Sequence, residues 1–278
     1  CVSPVMGSKI SNIQESRVYI PSETIAIQDS GAFCDGIDNR VSYKEALNRQ
    51  RKHAKKYKYE ENISHIASYD LLIDEKWNSK GERRKERWDE SEAWYAVWET
   101  INAAKFLHKN RDGKNLILSA QGITLKQYMN CAEEIVPLMR SNDIFGLGGW
   151  CVLGQKKNNL RDSFRRIMIE LIPFLGENNI KNIHIWGVIY PFPLGELLYL
   201  CDMFNIKLST DSSGPQKRPI FGTWGYGDWK DKKYVRPNVQ NRGQERAKHV
   251  MEVRKWLENF RETKYYRFPS DNYIWKEN

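Results

Sequence analysis

The chain of 278 residues lacks several features that would place it in large classes of proteins. It has no run of about eighteen apolar residues, and its start at Cys1-Val2-Ser3-Pro4 has neither the basic region nor the apolar core of a secretory signal. The five cysteines are scattered and form no CxxC pair, which argues against a disulfide framework or a structural zinc site. We therefore expect a soluble, cytoplasmic protein with reduced thiols and no membrane partner.

Two further absences concern cofactors. No GxGxxG sequence follows a candidate strand, and none of the five histidines has carboxylate or cysteine partners at metal-ligand spacing. We expect neither a nucleotide cofactor nor a metal, and we assign the histidines to solvated or core positions.

Basic residues are the most prominent part of the composition. The net charge is +9, and lysine and arginine cluster within residues 44–58, 80–87 and 156–166. Each cluster alone is typical of a solvated helix face, but together they favour a surface that binds phosphates of a nucleic acid. The candidate contacts are Arg49, Arg51, Lys52, Lys55, Arg83, Arg84, Lys156 and Lys157.

Short apolar stretches alternate with longer stretches of helical spacing, which is the pattern of a parallel α/β fold. Strands are predicted at residues 24–28, 69–73, 115–119, 144–147, 182–187 and 206–209, and residues 2–6 are a further candidate. Helices are predicted at residues 91–107, 125–139, 161–175, 193–204 and 242–260. The sequence has no internal repeats or low-complexity linkers, so residues 1–278 are expected to form one domain.

The number of units favours a TIM (β/α)8 barrel over a doubly wound sheet. Each βα unit of a barrel takes roughly 30 residues, so the predicted units come close to filling one. A doubly wound sheet usually carries a phosphate-binding glycine turn after its first strand, and this sequence has none. The chain begins with Cys1 rather than Met, which leaves room for a barrel that is incomplete at the N-terminus.

Polar residues and glycines follow the predicted strands, at the positions from which barrel enzymes recruit catalytic groups. In chain order they are Asp29-Ser30-Gly31-Ala32-Phe33, Asp74-Glu75, Gln121-Gly122, Gly146-Leu147-Gly148-Gly149, Trp186-Gly187 and Asp211. An aspartate after a strand can instead cap the next helix. The agreement among all six positions favours a single pocket with carboxylates, an amide and exposed backbone N–H groups.

In this order the motifs resemble those of the tRNA-guanine transglycosylase superfamily, over most of the chain. That family has DSGGF or DSGGY after one strand, then DE, QG and GG after later strands, a glycine after a pocket residue, and finally an aspartate nucleophile. The resemblance implies that Asp211 attacks the anomeric C1′ of a nucleoside and displaces guanine, leaving a glycosyl-enzyme ester. Asp29 would be the general base that deprotonates the incoming heterocycle.

The resemblance also implies how the base is held. Asp74 would accept hydrogen bonds from the NH and amino groups of a guanine-like ring, while Gln121 and the Gly149 N–H would read its carbonyl oxygen. Phe33 and Trp186 would sandwich the ring. The remaining residues expected to line this pocket are Ser30, Gly148 and Gly187.

Two departures from the family pattern concern the substrate. No cysteine follows Cys201, so the CxCxxC zinc subdomain of the tRNA enzymes is absent. Ser212-Ser213-Gly214-Pro215 also follows the expected nucleophile, where the bacterial tRNA enzymes have CVLPTR. Both departures resemble the DNA-directed relatives of phages and bacterial genomic islands, which exchange guanine for a 7-deazaguanine such as 7-cyano-7-deazaguanine. We expect DNA rather than tRNA as the polymer, in the host cytoplasm if a phage encodes the chain.

Four alternatives remain open from the residues alone. The chain could exchange bases in tRNA, or could be a non-catalytic, nucleic-acid-binding accessory subunit. A retaining glycosidase also uses two carboxylates on a barrel, although the basic charge and the absence of a glutamate acid after a strand count against it. The last alternative is an ordinary α/β domain with incidental aspartates.

Overall fold

The computed structural model describes residues 26–35, 40–71, 90–150, 160–211 and 242–269. Within these ranges the strands form one six-stranded sheet in the order β1-β2-β3-β4-β5-β6, and every neighbouring pair is parallel. The strands are β1 (Ala26–Gln28), β2 (Ile63–Ala67), β3 (Asn115–Ala120), β4 (Ile144–Leu147), β5 (Asn182–Ile185) and β6 (Lys207–Thr210).

Helices connect and follow these strands. They are α1 (Ala32–Asp35), α2 (Tyr43–Tyr57), α3 (Glu90–Lys109), α4 (Leu125–Ile135), α5 (Leu160–Glu177), α6 (Pro191–Met203) and α7 (Arg242–Glu258). Short 3-10 turns lie at Glu60–Asn62, Val136–Leu138 and Phe260–Glu262. The sheet is curled, so the chain has an α/β fold compatible with part of a TIM-like barrel.

Most of the predicted elements are confirmed. The third to sixth strands lie within two residues of their predicted bounds, and the predicted helices from 91–107 onward correspond to α3, α4, α5, α6 and α7. The candidate strand at residues 2–6 lies outside the described residues. The α/β class is therefore established in the described part of the chain.

The prediction for the second strand is wrong. The strand is Ile63–Ala67, and residues 69–71 follow it as irregular backbone. The strand was not predicted because β2 contains two polar residues, Ser64 and His65. Both have partners: Ser64 Oγ donates to the Ala26 carbonyl at 2.8 Å, and His65 Nε2 lies 3.1 Å from the Asn142 carbonyl. Buried polar groups cost little when they are hydrogen-bonded, so the strand tolerates them.

Helix α2 was not among the predicted helices because most of its residues are polar. Its start is defined by a capping box, in which Ser42 Oγ accepts from the Glu45 N–H at 3.2 Å and a Glu45 carboxylate oxygen accepts from the Ser42 N–H at 2.9 Å. The helix ends at Lys58, whose backbone is left-handed with φ of 55°. Local hydrogen bonds rather than a wide apolar stripe therefore set the bounds of α2.

The strands have two unlike faces, because side chains alternate along a strand. The outward face packs against the helices and is apolar, with Leu116, Leu118, Phe145, Leu147, Ile183 and Ile185 in the main core. Full burial of a side chain of this size contributes about 1.5–3 kcal/mol to folding. The alternate residues, on the inward face, include Ser119, His184 and Ser209, and these lead to the candidate site.

None of the helices in the described ranges has both the length and the apolar character that a membrane crossing requires.

Candidate active site

The candidate site lies at the edge of the sheet where the parallel strands end, which we call the carboxyl edge. The residues that follow β3, β4, β5 and β6 meet there because the strands are parallel and adjacent. Active sites of barrel folds occupy the same edge. The expected site residues Gln121, Gly148, Trp186 and Asp211 are all at this edge.

Asp211 directly follows β6, and one of its oxygens is held by the protein. Oδ1 accepts the Gly187 N–H at 2.9 Å and lies 3.4 Å from Nε2 of His184. Burial opposes ionisation of Asp211, but the nearby His184 ring and the hydrogen bond from Gly187 outweigh it and hold the pKa of the carboxyl below its usual value. The side chain is still 34% exposed, so an ionised carboxylate is accessible from the carboxyl edge.

Gly187 reaches Asp211 through a backbone conformation that favours glycine. Its φ is 69°, in the left-handed region. The prediction that Trp186-Gly187 contributes to the site thus has a structural basis: the glycine supplies a backbone N–H to the expected nucleophile. This N–H would not point at Asp211 from an extended strand.

His184 was assigned to a solvated or core role in the sequence, and the structure places it beside Asp211. It is 2% exposed, its Nδ1 lies 2.9 Å from Ser209 Oγ, and its ring packs edge-on against Trp186 with centroids 4.3 Å apart. The sequence contained a signal that was not used. His184 is two residues before Trp186 on β5, so the two side chains share the inward face.

Trp186 is fixed by a hydrogen bond that crosses β4. Its Nε1–H donates to Ser119 Oγ on β3 at 2.9 Å, above Gly146 of the intervening strand. A Cβ on Gly146 would lie 2.5 Å from Ser119 Oγ and 3.1 Å from Trp186 Nε1. The glycine in the middle of β4 therefore provides the space for this contact.

A second carboxylate that sequence reasoning missed, Asp70, lies beside Gln121. A Cβ on Gly148 would come within 2.8 Å of Gln121 Cγ and 2.9 Å of Asp70 Oδ2, so the bare glycine backbone separates these two side chains. Asp70 is buried and follows the corrected β2 by three residues. Asp74, the carboxylate expected here, lies outside the described residues.

Two buried aromatic side chains, Tyr128 and Trp150, hold the Gly148–Gly149 turn through hydrogen bonds. The Gly148 carbonyl accepts from Tyr128 Oη at 2.9 Å, and that phenol oxygen accepts from Trp150 Nε1–H at 2.9 Å. Complete burial raises the pKa of Tyr128, which keeps it a neutral donor. Gly149 has φ of 80°, and its Cβ position would lie 3.5 Å from Gln121 Oε1. The turn thus places the Gly149 backbone beside the Gln121 amide.

Asp29 directly follows β1, at the other side of the sheet from β6. Its carbonyl accepts from Gln50 Nε2–H at 3.1 Å, and the same amide donates to the Ala67 carbonyl at the end of β2 at 3.0 Å. One buried glutamine of α2 therefore ties together the ends of β1 and β2. β1 and β6 are the two end strands of the curled sheet, so Asp29 and Asp211 follow strands at its opposite ends.

The expected site residue Ser30 has local partners. Its Oγ accepts the Ala32 N–H at 3.3 Å, at the start of α1, and its carbonyl accepts from Arg49 at 2.7 Å. Arg49 also forms a two-pronged ion pair with Asp35, at 2.7 and 2.9 Å, and Asp35 accepts from Tyr69 Oη at 3.1 Å. This cluster fastens α1 to the segment after β2, and it occupies the guanidinium that was expected to bind phosphate.

The other basic residues expected on α2 lie toward the opposite edge of the sheet. Arg51 donates to the Asn110 carbonyl at 3.0 Å and contacts Asp112, both of which precede the start of β3. Lys52 and Lys55 are exposed in the second half of the same helix. A nucleic acid bound at the carboxyl edge would therefore lie away from this half of α2.

Several expected residues have no described side chain. Arg83, Arg84, Lys156 and Lys157 lie outside the described residues, and of Phe33 only the backbone, within α1, is described. Among the side chains that are described, no three of His, Cys, Asp or Glu are grouped as metal ligands.

No protein-family model matches this chain, and a search of curated proteins finds no relative. The functional assignment therefore depends on the motifs and on the geometry described above.

Proposed function

We propose that the chain is a transglycosylase that exchanges guanine for a 7-deazaguanine in DNA, on a (β/α)8-type barrel. The observation that carries this proposal is the arrangement of Asp211, an ionised and accessible carboxylate with one oxygen held in place, on the same edge as Asp70, Gln121 and the Gly148–Gly149 turn. Base exchange requires a nucleophile next to a group of hydrogen-bond donors and acceptors that match one edge of the base.

In the first half-reaction, a carboxylate oxygen of Asp211 forms a bond to C1′ of the target nucleoside. The C1′–N9 bond to guanine breaks, and its electron pair stays on N9. Asp29, in its acid form, gives N9 a proton, so neutral guanine departs. The sugar is then held as an ester of Asp211, which conserves the energy of the glycosidic bond and makes a nucleotide cofactor unnecessary.

In the second half-reaction, the Asp29 carboxylate takes the N9 proton from the incoming 7-deazaguanine. N9 attacks C1′, the ester bond breaks, and its electron pair returns to Asp211. Both residues regain their starting states. The positions of Asp29 and Asp211 after the two end strands of the sheet support these two separate roles.

Asp70 takes over the role that the sequence had assigned to Asp74. A carboxylate at this place can accept hydrogen bonds from N1–H and the amino group of guanine, while Gln121 and the Gly149 N–H address the carbonyl oxygen. Adenine or a pyrimidine would leave these buried polar groups unpaired, at a cost of about 1–3 kcal/mol for each. The base-binding part of the proposal thus predicts guanine-like selectivity.

DNA is proposed as the polymer on the positive charge of the sequence and on the Ser212-Ser213-Gly214-Pro215 segment that follows the proposed nucleophile. The target nucleotide would have to leave the base stack, because C1′ inside a duplex is not accessible to Asp211. Basic residues 217, 218, 230, 232, 233 and 236 follow β6 and the nucleophile in the sequence, and residues 156 and 157 follow β4.

The test of the proposal is base exchange itself. The protein is incubated with guanine-labelled duplex DNA or tRNA plus 7-cyano-7-deazaguanine, and released guanine and the exchanged polymer are measured by mass spectrometry. We expect exchange in DNA. Exchange in tRNA alone would keep the chemistry but correct the polymer. Absence of guanine release from both polymers, with Asp211→Asn binding DNA as the wild type does, would refute the transglycosylase assignment.

A further inference from the structure

His184 is a buried, titratable side chain next to Asp211 in the described structure. The proposed chemistry gives it no role so far. Nε2 of His184 is buried, forms no hydrogen bond within the described structure, and lies 3.4 Å from Oδ1 of Asp211. This distance is longer than that of an ideal hydrogen bond, as is common in unliganded sites whose contacts shorten when substrate binds.

The other ring nitrogen shows which proton faces Asp211. Ser209 Oγ has a single hydrogen, which it can donate to the Ile183 carbonyl at 3.2 Å or to His184 Nδ1 at 2.9 Å. If Ser209 donates to Ile183, Nδ1 carries the ring proton that bonds to Ser209 Oγ. If Ser209 donates to Nδ1, the neutral ring carries its proton on Nε2. The second arrangement has the shorter Ser209 contact, and it directs Nε2–H at Oδ1.

We infer that His184 is a positioning residue that, together with the Gly187 N–H, holds Oδ1 of Asp211 and leaves Oδ2 as the atom that bonds to C1′. This inference rests on the proposed function of Asp211. Among the described residues, the contacts to the Asp211 carboxyl fall on Oδ1, from the Gly187 N–H at 2.9 Å and from His184 Nε2 at 3.4 Å.

The arrangement serves both half-reactions. Two donors on Oδ1 fix the plane of the carboxylate, so that Oδ2 presents a lone pair in one direction. When the ester breaks in the second half-reaction, negative charge returns to the carboxylate, and the same donors stabilise it where it develops. Gly187 and His184 are held in turn by their own backbone conformation and by Ser209, which makes the arrangement rigid.

The test compares two replacements of His184 with a matched histidine. His184→Phe removes the donor but keeps a ring, whereas His184→Gln keeps an N–H that can reach Oδ1. His65→Phe is the control, because His65 is a buried histidine of the same sheet whose ring bonds to Asn142 and Ser64 rather than to the site. All three are measured for the burst of guanine release, for the KM of the incoming base and for the folded fraction.

We expect His184→Phe to slow the burst about 100-fold, with the KM of the base within about threefold of wild type. His184→Gln is expected to recover at least about tenfold of that loss, and His65→Phe to leave the burst within about threefold. Equal loss in His184→Phe and His65→Phe, or no recovery in His184→Gln, would overturn the inference.

A second measurement separates this inference from the proposed function. Titration of the Asp211 carboxyl by carbon NMR requires no activity, and His184→Phe should raise the pKa of that carboxyl because a donor to Oδ1 is lost. An unchanged pKa would overturn the contact between His184 and Asp211 even in an active enzyme. A raised pKa in a protein that releases no guanine would instead refute the transglycosylase assignment while leaving the contact in place.

Discussion

The two faces of the same sheet differ in chemistry. On the outward face, Leu116, Leu118, Phe145 and Ile183 belong to one apolar core with the helices. On the inward face of β3 to β6, Ser119, Trp186, His184, Ser209 and Asp211 form a sequence of polar contacts that runs across strands. A strand of a buried parallel sheet is usually apolar on both faces, so the inward face is the unusual one.

The difference indicates that the outward face serves stability and that the inward face serves the proposed chemistry. An apolar face gains free energy from burial without requiring exact geometry, whereas buried polar groups are stable only when each finds a partner. The contacts on the inward face therefore fix the positions of particular side chains. Leucines at the same places would contribute more burial energy but would not fix such positions. Substitutions on the outward face should lower stability, and those on the inward face should lower activity.

The largest expected effect is that of Asp211→Asn. Removal of the proposed nucleophile should reduce base exchange by on the order of 10⁴-fold or more, while the melting temperature changes little because Gly187 can still donate to the amide oxygen. Guanine release from labelled DNA measures the rate. The matched control is Asp202→Asn, which alters a partly buried aspartate paired with Arg261 at 2.7 Å and should exchange bases as wild type does. A comparable loss in both variants would contradict the inward face as the site of chemistry.

Leu118→Ala tests the outward face. Leu118 is fully buried on β3 in the main core, so truncation should cost about 2–5 kcal/mol of unfolding free energy. Chemical denaturation measures this loss. The rate of exchange per folded molecule should stay within about threefold of wild type. If stability were unchanged and exchange were abolished, the assignment of the two faces would be reversed.

A smaller effect is expected from Gly146→Ala, which tests the contact across β4. The added methyl would overlap Ser119 Oγ and separate it from Trp186, at a cost of about 1–3 kcal/mol. The double variant with Ser119→Ala removes the overlapping oxygen. We expect the two changes together to cost less than the sum of the single changes, measured in a double-mutant cycle. Strict additivity would show that the crossing contact is not formed.

The smallest effect is expected from Gly148→Ala, at the proposed base pocket. The new methyl would meet Gln121 and the Asp70 carboxylate, so the KM of the incoming base should rise about tenfold, the equivalent of about 1.4 kcal/mol. Stability should change little, because Gln121 Cγ can shift. A KM equal to that of wild type would remove Asp70 from the proposed base pocket.

How well the sequence predicts the strands and helices depends on whether apolar or polar residues define each element. Apolar strands β3 to β6 and the apolar stripes of α3 to α6 were predictable because hydrophobic periodicity reports burial directly. Strand β2 was misplaced because Ser64 and His65 have polar partners that are distant in the chain, and no local pattern reveals them. Helix α2 was not predicted as an element because its apolar stripe is narrow and its start depends on a capping box.

The candidate site was predicted in part for the same reasons. Gln121, Gly148 and Trp186 follow strands that were placed correctly, and all three lie at the carboxyl edge. Asp74 lies outside the described residues, and Asp70, which the misplaced β2 concealed, lies near Gln121. His184 was passed over because its role depends on Asp211, which is 27 positions later in the sequence but on the adjacent strand.

The central claim is that Asp211 carries the sugar during exchange, and its most direct test is to find the bond. The wild-type protein is mixed with guanine-containing DNA without an incoming base, quenched in acid, digested, and analysed by peptide mass spectrometry. The account predicts a deoxyribosyl adduct on the peptide that contains Asp211, which disappears with formation of exchanged DNA when 7-cyano-7-deazaguanine is added before the quench. An adduct on another residue, or guanine release without any adduct, would contradict it.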